Sequence, residues 1–335
     1  MKNFNIGILG ASGAVGRQMI QVIDEYNIPV NELRLLASEK SAGKIMRFKD
    51  RDIVLQKADE NSFAGLDFVL GAVEADMSKY FAPYIVKAGA VFIDNSSAFR
   101  QNPEVPLVVP EINGQDAFEN KGIISNPNCS TIITLMAVAA LNNISPIKTM
   151  VASTYQAVSG AGKNGLDELE TQVKDLAEGR VPQPKVFAHQ IVMNVIPAIG
   201  SEGSNGYTSE EMKMQNEGRK IFHNPDLKVS CTCVRVPVAR SHSISVTLRT
   251  EKKISVEDAK KAIASYPGCK FTEDIDGRNY PTPLDTSNQD IVYVGRIRDD
   301  LTSNDGLTLW CCGDQIRKGA ASNAVQILKL LVEKQ

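Results

Sequence analysis

Residues 4–23 narrow the possible folds more than any other stretch of the chain. Ile6-Gly7-Ile8-Leu9 is a short, almost wholly apolar run, as in a strand covered on both faces of a parallel sheet. It leads directly into Gly10-Ala11-Ser12-Gly13-Ala14-Val15-Gly16, and Arg17-Gln18-Met19-Ile20-Gln21-Val22-Ile23 then has helical spacing. Strand, glycine turn and helix in this order open a dinucleotide-binding unit. Glycines let the backbone approach a pyrophosphate, whose charge the helix N-terminus stabilises. The spacing is GxxGxxG rather than GxGxxG, so a tight strand–helix turn without a ligand is the competing reading; the flanking elements favour the nucleotide.

The next segments extend the same pattern. Leu33-Arg34-Leu35-Leu36-Ala37 reads as a second strand, residues 66–72 as a third, residues 77–87 as a helix, and Val91-Phe92-Ile93-Asp94 as a further strand. This alternation argues for a doubly wound parallel sheet. An NAD site usually carries Asp or Glu at the end of the second strand, for the ribose diol. Here Ala37-Ser38 stands there, followed by Lys40 and Ser41, a cation and a hydroxyl suited to a 2′-phosphate; NADP is the expected cofactor, with Glu39 the dissenting residue. Asn95 and Arg100 follow the 91–94 strand, at the carboxyl edge where such sheets bind ligands. Arg100 is a candidate anion binder, against a surface ion pair as the alternative.

Beyond residue 145 the pattern changes. Residues 148–158 alternate like an antiparallel strand with one buried face. Ser159-Gly160-Ala161-Gly162 is a glycine turn, residues 163–178 an amphipathic helix, and 179–207 a long ordered loop with three prolines, Pro182, Pro184 and Pro197. Thr208 caps a helix with early acids, strands follow near 228–236 and 243–250, a helix near 255–264, and strands near 291–298 and 307–312. The fold class expected is α/β: an N-terminal Rossmann-like parallel-sheet domain, plus an α+β catalytic and dimerisation domain with a mainly antiparallel sheet. A chain of 335 residues favours two domains. The closing helix, from Gly319 to about Glu333, is apolar on one face and suited to pack on the first domain, giving 1–128 plus 316–335 and 129–315.

The totals exclude several classes. Net charge is −2 with no basic stripe, against a nucleic-acid partner. No uncharged apolar run is long enough to span a bilayer and no early apolar signal segment is present, against a membrane role. The six cysteines show no zinc-ligand spacing, so no metal is expected. A cytoplasmic protein with reduced thiols fits these features.

One cysteine stands apart. Cys129 lies in Ser125-Asn126-Pro127-Asn128-Cys129-Ser130-Thr131, between a short apolar run and a long apolar helix-former. Pro127 restrains the backbone there, and Cys129 should fall in the first turn of a buried helix. Helix N-termini favour the thiolate. A packed, inert thiol is an equal alternative from this stretch alone. A nucleophilic thiolate needs a proton partner, and among the scarce histidines His189, His223 and His242, His242 lies in a turn between two expected strands, which suits a functional residue; a structural histidine is the competing and commoner reading there. Arg235 suits a two-pronged grip on a carboxylate. Glu210 and Lys213, three apart, share a helical face, with a weak surface pair as the bland reading. A nicotinamide site beside a cysteine suggests aldehyde oxidation through a thioester, with nearby cations holding phosphate to resolve it.

Six pieces in order, GASGAVG at 10–16, DNSSAFR at 94–100, SNPNCST at 125–131, TYQAVSGAG at 154–162, SEEMK at 209–213 and RVPVARSHS at 235–243, closely resemble the aspartate-semialdehyde dehydrogenase family. The resemblance implies that Cys129 is the acyl-carrying nucleophile and His242 the acid/base. It implies that Gln156, Glu210 and Arg235 hold the substrate, with Glu210 on its amine, and that Arg100 and Lys213 hold phosphate. Ser12, Gly13, Ala14 and Val15, with Lys40, Ser41, Ser159, Gly160 and Gln315, match the family's NADP contacts; Gly10 and Asn95 complete the expected cofactor set. The substrates implied are aspartate β-semialdehyde, 4-aspartyl phosphate and phosphate, within lysine, threonine, methionine and diaminopimelate biosynthesis, and the assembly a homodimer or homotetramer.

The nearest rival is N-acetyl-γ-glutamyl-phosphate reductase, disfavoured by NCST in place of a GCYPT-like motif and by Glu210, which suits a free ammonium. Glyceraldehyde-3-phosphate dehydrogenase lacks its SCTTN-type motif here. A thiol hydrolase would not need the glycine turn, and a non-catalytic NADP sensor would not need both Cys129 and His242.

Overall fold

The computed structural model describes residues 2–274, 276 and 278–334; Met1 and Gln335, the outer ends of the expected first domain, lie outside the described residues. The chain divides into two units, Met1–Asn128 with Ala320–Gln335, and Cys129–Gly319.

The first unit is built on β1 (Phe4–Leu9), α1 (Ala14–Glu25), β2 (Val30–Ala37), the hairpin β3 (Ile45–Phe48) and β4 (Arg51–Val54), β5 (Gln56–Lys57), β6 (Phe68–Gly71), α2 (Ala75–Lys87), β7 (Val91–Asp94), α3 (Pro110–Asn113) and β8 (Ile123–Ser125). Six strands form one sheet in the order β5-β2-β1-β6-β7-β8, every pair parallel. Parallel strands need crossovers, which place helices on both faces and explain why these strands are apolar throughout rather than alternating. Ile6 and Ile8 of β1 pack with Met19 and Ile23 of α1 on one face, while Leu9 packs with Phe81, Ile85 and Phe92 on the other.

The second unit holds α4 (Cys129–Ile144), β9 (Ile147–Gln156), α5 (Gly162–Ala177), α6 (Ser209–Ile221), β10 (Lys228–Arg235), β11 (His242–Thr250), α7 (Val256–Ser265), β12 (Cys269–Phe271), α8 (Pro283–Thr286), β13 (Val292–Asp299) and β14 (Gly306–Gly313). Its sheet runs β10-β9-β11-β14-β13-β12. β9–β11, β11–β14 and β14–β13 are antiparallel, while β10–β9 and β12–β13 are parallel. The expected fold class is the one observed. The parallel β9–β10 pair departs from a purely antiparallel reading of this half: α5, the long loop and α6 between the two strands form the crossover that parallel pairing requires. α4 packs on β9, β11, β13 and β14 and is buried from Ser130 to Leu141, which is why it reads as apolar all round. The opposite face of β9 alternates outward and carries exposed Val151 and Tyr155, the latter with its ring 5.4 Å from Trp310.

α9 (Ser322–Glu333) belongs to the first unit, where Asn323 donates through Nδ2 to Val108 O at 2.9 Å and Asn126 Oδ1 at 2.7 Å. It begins three residues later than the sequence suggests, because a π-helical turn occupies Arg317–Ala321. Gly319 within that turn lies so near Cys129 that an added Cβ would meet the Cys129 Cβ at 2.9 Å. Among the described residues no helix is long and apolar enough to cross a membrane.

Candidate active site

The strand directions of the second unit collect its reactive side chains at one edge. β9 and β10 are parallel and in register, so their last residues, Gln156 and Arg235, are neighbours. β11 runs antiparallel to β9, so its first residue, His242, starts at the same edge and pairs with Gly313 at the end of β14. Cys129 is the first residue of α4, at the positive end of the helix dipole, which favours an anion. The result is a contact of 3.4 Å between Cys129 Sγ and His242 Nε2, across 113 residues of sequence.

The imidazole is fully buried and fixed from behind by the Ala157 N–H, which donates to Nδ1 at 3.1 Å. Burial, and then the adjacent Arg235 cation, push its pKa down to about 3, with Glu210 opposing. The residue before it, Ser241, has φ +72°, unusual for a residue with a side chain. Ser241 N–H donates to Gln315 Oε1 at 2.8 Å, and Gln315 Nε2 donates to Ser159 Oγ at 2.5 Å, while the Ser159 hydroxyl donates to Ala239 O. This chain of bonds holds the strained turn that aims the ring. Ser159 and Gln315, expected among the cofactor residues, here brace the turn before the histidine.

Arg235 is buried and donates through Nη1 to Ala157 O at 2.6 Å. Its backbone exchanges two hydrogen bonds with Ile196, and its guanidinium lies 5.8 Å from the Phe187 ring centre. Burial draws its pKa below the usual value, while Cys129, Glu210 and Cys233 hold it up. Gly160 makes room for this packing: a Cβ there would come within 2.8 Å of Arg235 Nη1 and 3.3 Å of His242 Cε1.

On α6, Glu210 and Lys213 are 2.7 Å apart, both partly sheltered. Glu210 Oε1 also accepts from Gln156 Nε2 at 3.3 Å, and Gln156 Oε1 accepts from the Thr154 hydroxyl at 3.0 Å, which fixes the amide's orientation. Glu211 sets the helix: it forms a capping box with Thr208 and accepts the Cys233 N–H at 3.0 Å, tying α6 to β10. The second unit therefore assembles Cys129, His242, Gln156, Arg235, Glu210 and Lys213 as one polar cluster. The arrangement can carry covalent chemistry on a carbonyl, with a cation for a carboxylate and a carboxylate for an ammonium.

The long loop is fastened by two residues of α5 that the sequence reading did not single out. Glu168 accepts the N–H groups of Lys185 and Val186, the first at 3.1 Å. Gln172 Oε1 accepts those of Ile191 and Val192 at 3.0 and 3.1 Å, and its Nε2 donates to Glu168 Oε1 at 2.9 Å. Nothing local marks either residue, nor Ala157, whose contribution is a backbone N–H. Asp314, fully buried and paired to Arg240 at 2.6 Å, belongs with them.

In the first unit the glycine turn has the form a pyrophosphate needs. Gly10 has φ +88°, and a Cβ there would meet Ala72 O at 2.4 Å; one on Gly16 would meet Gly10 O at 2.4 Å. A Cβ on Gly13 would meet only Gly10 O, at 3.4 Å, so packing within the fold does not demand a glycine there. Gly13 stands at the N-cap of α1, which has no side-chain cap and no acid in its first turn. With Ser12, Ala14 and Val15 beside it, this helix end fits a dinucleotide phosphate. Lys40 and Ser41 lie in the turn after β2, while Glu39 is drawn to Lys57 at 3.1 Å.

Asn95 and Arg100 follow β7. Arg100 donates through Nε to Asn126 O at 2.9 Å and through a terminal nitrogen to Asn95 O at 2.6 Å. Asp94, whose carboxyl is raised by burial against hydrogen bonds from Ser96 and Ser78, anchors this loop. Among the described residues no group of His, Cys, Asp and Glu could hold a metal ion.

Residues 5–120 match the family model of the semialdehyde dehydrogenase NAD binding domain, and residues 138–318 that of the semialdehyde dehydrogenase dimerisation domain. An NAD binding domain followed by a dimerisation domain, both of semialdehyde dehydrogenase type, define the class as an oxidoreductase. The chain is 48% identical over 329 residues to the aspartate-semialdehyde dehydrogenase of a Synechocystis species, covering 98% of this chain and 97% of that one. It is 40% identical to the Bacillus subtilis protein of the same name, over 98% of each. A crystal structure of aspartate semialdehyde dehydrogenase II complexed with ASA, from Vibrio cholerae, matches with TM-score 0.97 and 42% identity over 99% of both chains. The chain belongs to the aspartate-semialdehyde dehydrogenase family.

Proposed function

We propose that the protein interconverts aspartate β-semialdehyde and 4-aspartyl phosphate with NADP, in amino-acid biosynthesis, through a thioester on Cys129. The observation that carries this reading is the 3.4 Å contact of Cys129 Sγ with His242 inside a cluster that also holds Arg235, Glu210 and Gln156. Arg235 suits the substrate carboxylate and Glu210 its ammonium. Thiolate attack on the aldehyde carbon gives a thiohemiacetal, and loss of hydride from that carbon leaves the thioester. The bound nicotinamide supplies the hydride acceptor, or the donor in the biosynthetic direction. Phosphate then releases the acyl group as 4-aspartyl phosphate; Arg100 and Lys213 are assigned to phosphate by sequence likeness. Gly10, Ser12, Gly13, Ala14 and Val15 suit the pyrophosphate, Lys40 and Ser41 the 2′-phosphate, and likeness adds Asn95, Ser159, Gly160 and Gln315. The exposed Val151 and Tyr155 on β9, with the match to a dimerisation domain, support a homodimer or homotetramer.

The test is the absorbance of reduced nicotinamide in mixtures of protein, aspartate β-semialdehyde, phosphate and either NADP or NAD. Growth that needs phosphate and is faster with NADP is expected. Cys129→Ala should abolish it, and turnover in that variant would overturn the covalent scheme.

A further inference from the structure

Arg235 is buried, yet among the described residues no carboxylate pairs with its guanidinium. An arginine in a protein interior ordinarily has such a partner. A carbonyl and an aromatic ring hold this one instead. Nη1 donates to Ala157 O at 2.6 Å, and the guanidinium carbon lies over the Phe187 ring, 5.8 Å from its centre. The difference matters for a residue that has to grip a ligand. A protein carboxylate would occupy the N–H donors that a ligand carboxylate needs. A ring attracts the cation through its quadrupole and takes no N–H donor. The guanidinium is thereby oriented with donors still to give.

The helix that fastens the long loop also sets the ring in place. Glu168 of α5 accepts the N–H groups of Lys185 and Val186, which fixes the backbone immediately before Phe187. Gly165, three residues earlier on the same face of α5, leaves space for the ring itself; a Cβ there would meet Phe187 Cζ at 3.1 Å. Half-buried, Phe187 packs against the apolar cluster of Val158, Leu169, Ile191, Val192 and Ile196. Ile196, farther along the loop, exchanges backbone hydrogen bonds of 2.8 and 2.9 Å with Arg235. The loop thus meets Arg235 at both its backbone and its guanidinium.

We propose that Phe187 is a positioning residue, whose ring orients the Arg235 guanidinium for the substrate carboxylate without spending the donors that bind it. The inference goes beyond the proposed function and rests on its assignment of Arg235 to that carboxylate. The carboxylate is unchanged while the aldehyde reacts, so the grip is equally strong before and during the chemical step. Weakening it therefore raises KM and leaves kcat in place.

The test separates the ring's electrons from its bulk. Ring fluorines withdraw the charge that attracts a cation and change the size little. Replacing Phe187 site-specifically by phenylalanines of increasing fluorination grades the attraction. Expected is a KM for the aldehyde that climbs along the series to about three- to tenfold, with kcat nearly constant. A flat series would overturn the proposal, since a ring that only fills space gives that result. Phe187→Leu, apolar but without a π face, should raise KM about tenfold. 3-Aminopropanal, the same aldehyde without its carboxylate, should be turned over with a kcat/KM that does not depend on the ring; a parallel loss there would refute the carboxylate grip.

A second arm needs no substrate. Phenylglyoxal modifies accessible guanidinium groups, and mass spectrometry reads the Arg235 peptide against that of exposed Arg51. Phe187→Leu should speed labelling of Arg235 about threefold or more, as the loss of a ring contact at a buried cation implies; an unchanged rate would overturn the positioning role. A wrong substrate assignment would instead abolish wild-type turnover of aspartate β-semialdehyde and leave the labelling result as it stands.

Discussion

Replacing His242 by Gln should flatten the acid side of the protein's stability profile. The folded ring holds no charge until about pH 3, because it is buried and lies beside Arg235. In the unfolded chain a histidine titrates near 6.5. Between these values the unfolded state binds more protons, so stability rises with pH and is lost as pH falls through the window. At pH 7 the ring contributes almost nothing. At pH 5 the unfolded ring is protonated and the folded ring is not, a gap of about 1.5 pH units, or about 2 kcal/mol at about 1.36 kcal/mol per unit. The assay is urea unfolding at pH 7 and pH 5, extrapolated to water. The fluorescence of the single tryptophan, Trp310 on β14, reports on the same sheet. Wild type should lose about 2 kcal/mol more than the Gln variant over that interval. Equal losses would mean that the folded ring takes a proton as readily as the unfolded one, and would refute the reasoning.

Gly160→Ala should leave the fold intact but raise KM for the aldehyde about tenfold, because the added Cβ would lie 2.8 Å from Arg235 Nη1 and displace the guanidinium; initial rates at varied aldehyde check it, and an unchanged KM would remove Arg235 from substrate binding. Gln172→Leu leaves the buried N–H groups of Ile191 and Val192 without their acceptor, a loss of about 1–3 kcal/mol concentrated in the loop. Amide exchange should show faster opening around residues 185–192 with α4 unaffected, and uniform protection across the two would contradict the proposed fastening.

Much of the site could be found in sequence because its chemistry is local. Cys129 announces itself by a proline-restrained turn before an apolar helix, and the capping residues of α6 place Glu210 in the first turn and Lys213 just after it. The residues that were not found act through long-range backbone bonds. Glu168 and Gln172 look like ordinary polar positions of an amphipathic helix until the loop they hold is seen folded against them. Ala157 could not be found at all, since its role belongs to a peptide group and not to a side chain. The parallel pairing of β9 with β10 also left no local mark, because an alternating strand looks the same whichever way its neighbour runs.

The sequence alone determined the parallel-sheet unit, through strands too apolar to have a wet face and a glycine turn in which Gly10 and Gly16 admit no side chain. It also determined the candidate nucleophile and its helix. Periodicity, turn chemistry and capping are read over a few residues, so a local pattern suffices for them. Tertiary structure decided that β9 and β10 end together, that His242 crosses 113 residues to meet Cys129, and that the Ala157 N–H holds the ring from behind. These depend on which distant strands pair and in what register, and that choice is made by the packing of whole faces rather than by any segment taken alone.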